Sequence, residues 1–209
     1  RAQTRHPNDV MLAWLQAETL GVGGDVQAGM DVLNEALVAN NSEPMAYVAL
    51  ADYYNEHDRF REAVELLQSA EIQFPTDTSI MFQLGTVLEQ NDRHVDAERA
   101  FRRILDHNPK HAAALNYLGY MLADRGERLE ESVDLLERAI ELDPHNGAYL
   151  DSLGWAYFKM NRFALAETHL RQASEQMTQN SVVQDHLGDL MFRLGRYTEA
   201  VSAWERALA

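Results

Sequence analysis

A leucine–glycine pair returns along this chain at a nearly fixed interval. It stands at Leu84-Gly85, Leu118-Gly119, Leu153-Gly154 and Leu187-Gly188, with glycine spacings of 34, 35 and 34 residues. Such a period commits a chain to a stack of similar units, because one unit cannot bury its own apolar face and needs neighbours to cover it. The residues around the glycines repeat with them. The unit that starts at Thr78 supplies Met81, Leu84, Gly85 and Leu88, then Ala97, Phe101, Ile104 and Pro109. The first four lie three and four residues apart or adjacent, on one stripe of a helix, and the next three make the stripe of a second helix. The proline closes that second helix, because the residue before a proline avoids the α region.

The same grid divides the chain into units at 44–77, 78–111, 112–146, 147–180 and 181–209. The unit at 112 carries one extra residue in the turn from Gly126 to Leu129. The unit at 147 has Thr178 where proline is expected, and the last has Gln184 in its first apolar slot and stops short of its proline. An earlier unit, 10–43, is degenerate: it keeps Leu33 and Ala36, but Gln16 replaces leucine and Gly29 replaces alanine. Its run Gly21-Val22-Gly23-Gly24 is expected to shorten or loosen the first helix. Ala2 and Pro7 fall on the closing positions of a still earlier unit, so residues 1–9 read as the end of a preceding repeat and the chain as an excerpt from a longer array. A mid-helix glycine costs about 1 kcal/mol against alanine. Burying a Phe or Leu is worth about 1.5–3 kcal/mol, so the glycines are expected to admit Phe101, Leu136, Leu170 and Trp204 against the helix backbone.

This pattern of Leu-Gly, small and large residues closed by proline resembles the tetratricopeptide repeat. The resemblance implies an all-α fold, a right-handed superhelical solenoid of helix–turn–helix repeats, with the first helices lining a concave groove. It places on that groove the aromatics Phe82, Tyr120, Trp155, Phe158 and Phe192, and the acids Asp52, Glu56, Glu89, Asp124, Asp151 and Asp189. Trp14 and Glu18 belong to the same set through the degenerate unit, and Lys159 and Arg193 are its only bases. Such a wall suits a protein or peptide with apolar anchors and some basic residues. The lysine, asparagine and arginine clamp that some family members use to grip acidic chaperone tails is absent, since only Asn116 is of a suitable type. The stretches from Asn116 to Gly126, Leu150 to Trp155 and His186 to Asp189 further resemble large bacterial members. These include envelope lipoproteins that act as protease adaptors. A periplasmic setting is therefore favoured, with the cytoplasm as the alternative.

Composition narrows the function classes. Acids outnumber bases 33 to 18, a formal charge of −15, and such a field repels nucleic-acid backbones and anionic membranes. There is no cysteine, which removes thiolate metal sites and cysteine nucleophiles. No apolar run approaches the roughly 18 residues of a membrane span. His107 and His111 have ligand-like spacing, but Pro109 between them breaks any shared helix. Gly21 to Gly24 lacks the lysine and the strand of a phosphate loop. No catalytic residue, metal or cofactor is expected. The leading reading is a non-catalytic scaffold or adaptor. The alternatives are an assembly module that self-associates through its exposed ends, or the docking arm of a larger enzyme.

Overall fold

Residues 9–208 of a computed structural model are described, and among them lie twelve α-helices and no strand. The expectation for Ala2 and Pro7 falls outside these residues. The helices alternate as first and second members of pairs: α1 (Val10–Val22) and α2 (Val26–Ala39), α3 (Pro44–Glu56) and α4 (Phe60–Gln73), α5 (Thr78–Gln90) and α6 (His94–His107). There follow α7 (Ala112–Asp124) and α8 (Leu129–Leu142), α9 (Gly147–Lys159) and α10 (Phe163–Gln176), α11 (Ser181–Arg193) and α12 (Tyr197–Ala207). The chain divides into two compact units, residues 1–107 and 108–209.

Every first helix is thirteen residues long. Its start is fixed by side chains that accept from free N–H groups: Asp9, Asp77, His111, Asn146 and Asn180 cap α1, α5, α7, α9 and α11. Pro44 opens α3 at a position where its missing N–H costs nothing. The turn inside five of the six pairs is short and uses one residue in the left-handed region: Gly24, Asp58, Asp92, Asn161 and Gly195. Glycine, and less freely Asn and Asp, tolerate that conformation. The inserted residue between α7 and α8 makes its turn longer, with both Gly126 and Arg128 at positive φ.

The degenerate first pair departs from expectation. The glycine run neither shortens nor loosens α1, which reaches Val22 like its counterparts, and Gly24 (φ +87°) serves the turn. The glycine that replaces alanine has a packing reason instead. Gly29 leaves room for the buried Tyr53 of α3, whose ring would collide with any Cβ there. The Tyr53 hydroxyl donates to Ala17 O at 3.2 Å.

The expected approach of large side chains to the Leu-Gly glycines is observed. A Cβ on Gly119 would stand 2.6 Å from Leu136 Cγ, and one on Gly188 would overlap the Trp204 indole. In the first unit the core runs through Ala17, Leu33, Leu50, Tyr53, Met81 and Phe101; in the second it runs through Leu118, Leu136, Leu153, Leu170, Leu187 and Met191. Successive pairs within a unit are also stitched by polar contacts. Arg103 meets Glu71 at 2.6 Å in the first unit. In the second, Arg162 meets Glu130 at 2.9 Å, and Arg171 and Arg196 share Glu167 and Glu199.

Candidate functional site

The first helices of the second unit carry a continuous aromatic face. Trp155 of α9 lies at its centre. Its indole stacks on the His186 imidazole of α11, centroids 4.1 Å apart and 13° from parallel. Phe158 of α9 also stacks on the indole, at 4.8 Å and 11°. Tyr120 of α7 stands 6.3 Å from the His186 ring. The 4.8 and 6.3 Å spacings fall within the range in which aromatic pairs attract, and the Trp155–His186 stack is closer still. The polar edges of the stack are satisfied. Trp155 Nε1 donates to Asp124 at 3.1 Å. His186 Nδ1 lies 3.0 and 3.1 Å from the two oxygens of Asp151, and since an ionised carboxylate only accepts, Nδ1 carries the proton. Two cations cover the face. Lys159 Nζ is 5.0 Å from the Trp155 ring and 3.6 Å from Asp124, and the Arg193 guanidinium is 5.9 Å from the Phe158 ring.

Of the residues expected on this face, Tyr120, Asp124, Asp151, Trp155 and Phe158 come together. Trp155 and Asp151 are buried, the tryptophan 8% exposed. They form the base of the stack, while Phe158 is half-buried and Asp124 exposed. Asp189 and Phe192 form a separate patch beside Trp204. Burial, then the charge of Asp185, pushes the Asp189 carboxyl up, partly offset by a hydrogen bond from Trp204. Phe192 is 52% exposed and packs 5.8 Å from the Trp204 ring. His186 was not among the sequence-derived candidates. Its signal was present, since it stands three residues before Asp189 and so on the same helical stripe as that candidate.

In the first unit the expected residues are more scattered. Asp52 accepts from Gln83 Nε2 at 2.8 Å. Glu56 is exposed, yet desolvation and the charges of Asp52 and Glu18 push its carboxyl up. Phe82 sits edge-on to Phe101 at 5.6 Å, and Glu89 is half-buried. Between α1 and α3 opens an apolar hollow of about 260 Å³, walled by Trp14, Met45 and Val48 with Asp52 at its rim. Met45 is 54% exposed there. The chemistry on offer is stacking, apolar seating and charge pairing. Ser152, next to Asp151, directs its hydroxyl to Ala148 O of its own helix at 3.0 Å rather than to a histidine.

Comparison with known proteins bears on this geometry. The family model described as Tetratricopeptide repeat matches residues 48–106, 82–147 and 152–209. A TPR repeat-containing protein of Pseudomonas aeruginosa is 31% identical over 193 residues, covering 90% of this chain and 32% of that protein. Protein O-mannosyl-transferase Tmtc3 of Drosophila melanogaster is 26% identical over 179 residues, covering 85% of this chain and 19% of the transferase. The chain thus spans a third or less of the length of these relatives. Among solved structures, a tetratricopeptide repeat protein from Parabacteroides merdae superposes with a TM-score of 0.73 at 14% identity, over 95% of this chain and 78% of that one. At that identity the likeness speaks for the fold alone.

Proposed function

Because this chain belongs to the tetratricopeptide-repeat family, we propose that it is a non-catalytic scaffold or adaptor that binds a partner polypeptide along its first helices. One observation carries the reading: the apolar hollow between α1 and α3, open to solvent and bordered by Asp52. A side chain such as Leu or Met seats there by losing apolar surface to water. A neighbouring Lys or Arg on the partner then meets Asp52 and Glu56; burial and the charges of Asp52 and Glu18 disfavour the ionised Glu56 carboxyl, which gains from a cation. The aromatic face of the second unit supplies a further anchor at Phe158, and Phe192 another. The similarity to a Pseudomonas protein supports a bacterial setting, and presentation of substrates to an envelope protease is one form such scaffolding takes.

The test is selection of displayed peptides on the immobilised chain. The enriched peptides are expected to place a large apolar residue within a few positions of Lys or Arg. Met45→Glu and Asp52→Lys should each lower affinity for them by about tenfold or more, with the helical fold retained by circular dichroism. Selected peptides that bind both variants like the parent would overturn the reading. The transferase relative favours a second reading, in which such a binding array serves as the docking arm of a larger enzyme.

A further inference from the structure

The second helices of the first unit leave a trough that the reading above does not use. It lies between α4 and α6, has a volume of about 700 Å³, and is floored by Leu84 and Leu88 of α5. Its charge runs against that of the molecule. Four guanidiniums line it, Arg61, Arg93, Arg99 and Arg103, against three carboxylates, Glu65, Glu71 and Asp96, in a chain whose formal charge is −15.

The carboxylates are unevenly spent. Asp96 serves both Arg93 and Arg99, at 2.5 and 3.3 Å. Glu71 is taken by Arg103, which crosses from α6 to α4 and bridges the trough. Arg61 is exposed and makes no ion pair among the described residues. The side chains of Arg93 and Arg99 remain 56% and 73% exposed. Ion pairs that open to water contribute little, so an incoming carboxylate can take over either guanidinium from Asp96. Arginine presents a planar fork that grips a carboxylate through two parallel hydrogen bonds.

We propose that this trough is a second docking surface, on the opposite members of the helix pairs from the first, and that it takes an acidic polypeptide segment. Partner carboxylates meet Arg61, Arg93 and Arg99, and apolar residues between them seat on Phe60 and Val64 at the α4 wall. The opposite polarity of the two surfaces lets one array hold a basic and an acidic partner at the same time.

Fluorescence anisotropy on the 209-residue chain tests this with a fluorescein-labelled peptide alternating Glu and Leu. A peptide alternating Lys and Leu is the counterpart. The Glu peptide is expected to bind at low salt and to weaken steeply as salt rises. Arg61→Glu with Arg99→Glu should weaken it by about a hundredfold, and the milder Arg61→Ala with Arg99→Ala by about tenfold. Glu65→Gln, which removes the one lining carboxylate with no arginine beside it in an ion pair, should tighten it severalfold. None of these changes should alter binding of the Lys peptide except through long-range charge, which high salt removes. Absence of Glu-peptide binding, or binding that the arginine variants leave unchanged, would overturn the proposal and leave the first-helix reading untouched.

Discussion

The imidazole of His186 is held between a carboxylate at its edge and an indole at its face. Asp151 lies 3.0 Å from Nδ1, and Trp155 stacks at 4.1 Å. Both partners come from α9, one repeat earlier, so this single side chain locks α11 onto its neighbour. Removing it leaves the Asp151 carboxylate buried and unpaired. His186→Ala is therefore expected to destabilise the chain by about 2–3 kcal/mol, beyond the loss of stacking. Asp151→Asn keeps an acceptor for Nδ1–H and should cost about 1 kcal/mol. Urea denaturation of the two variants, at equal m-value, checks the order. Equal costs would mean that the carboxylate charge is not what the histidine satisfies.

A glycine inside a helix normally gains stability when replaced by alanine, by about 1 kcal/mol. Gly119 should do the opposite. Its Cβ would stand 2.6 Å from Leu136 Cγ and 3.2 Å from Ser132 O, the second a backbone atom that cannot swing away. Overpacking of this kind costs about 1–3 kcal/mol. Gly119→Ala is expected to destabilise on balance, whereas in a Leu136→Ala background much of the clash is gone and its effect should become favourable or nearly neutral. A double-mutant cycle read by thermal unfolding measures this non-additivity.

Glu167 joins the pH dependence of stability to the repeat geometry. Burial pushes its carboxyl up, but hydrogen bonds from Arg171 and Arg196 outweigh that and hold it below the usual carboxylate range. A group with a depressed folded pKa binds fewer protons folded than unfolded. Stability thus rises with pH across the window between the two values and is complete above the unfolded value of about 4.3. Acidification through that window should loosen the link between α10 and α12. Glu167→Gln should lower stability at neutral pH and flatten its fall between roughly pH 5 and pH 3. Circular dichroism melts across that range provide the measurement.

The helices and the packing were legible in the sequence because they rest on spacing. Leu84-Gly85 and its counterparts lie at a helical stripe that only a partner such as Phe101 can fill, and a fixed period repeats the arrangement. The degenerate pair was less legible for a physical reason. Gly29 looks like a lost alanine until Tyr53, 24 positions later, is seen to occupy its space. On α9 the shared stripe of Asp151, Trp155 and Phe158 was legible, but not its depth profile. Asp151 and Trp155 belong to the same stripe as Phe158, yet they sink to its base because His186 from the next repeat covers them. The trough of arginines left no trace in net charge, since its residues are diluted by an acidic whole.

That depth profile separates two substitutions that the sequence alone would pair. Phe158 is half-buried and lies at the open side of the stack, so Phe158→Ala should cost about 1–2 kcal/mol of stability and still lower affinity for peptides bound to the second unit. Trp155 is buried against His186 and accepts no such economy: Trp155→Ala is expected to cost about 3–5 kcal/mol and to weaken binding through the altered wall as well. Trp155→Phe distinguishes the two contributions. It retains a ring over His186 but loses the Nε1–H bond to Asp124, releasing that carboxylate to Lys159 alone. With Trp155→Phe, binding of apolar peptides should stay within about threefold of the parent if the wall acts by shape and stacking. Isothermal titration of the same peptide into all three variants, each first checked for its unfolding midpoint, decides it. A loss in Trp155→Phe as large as in Trp155→Ala would show that the Trp155–Asp124 hydrogen bond, rather than the stacked rings, sets the binding surface.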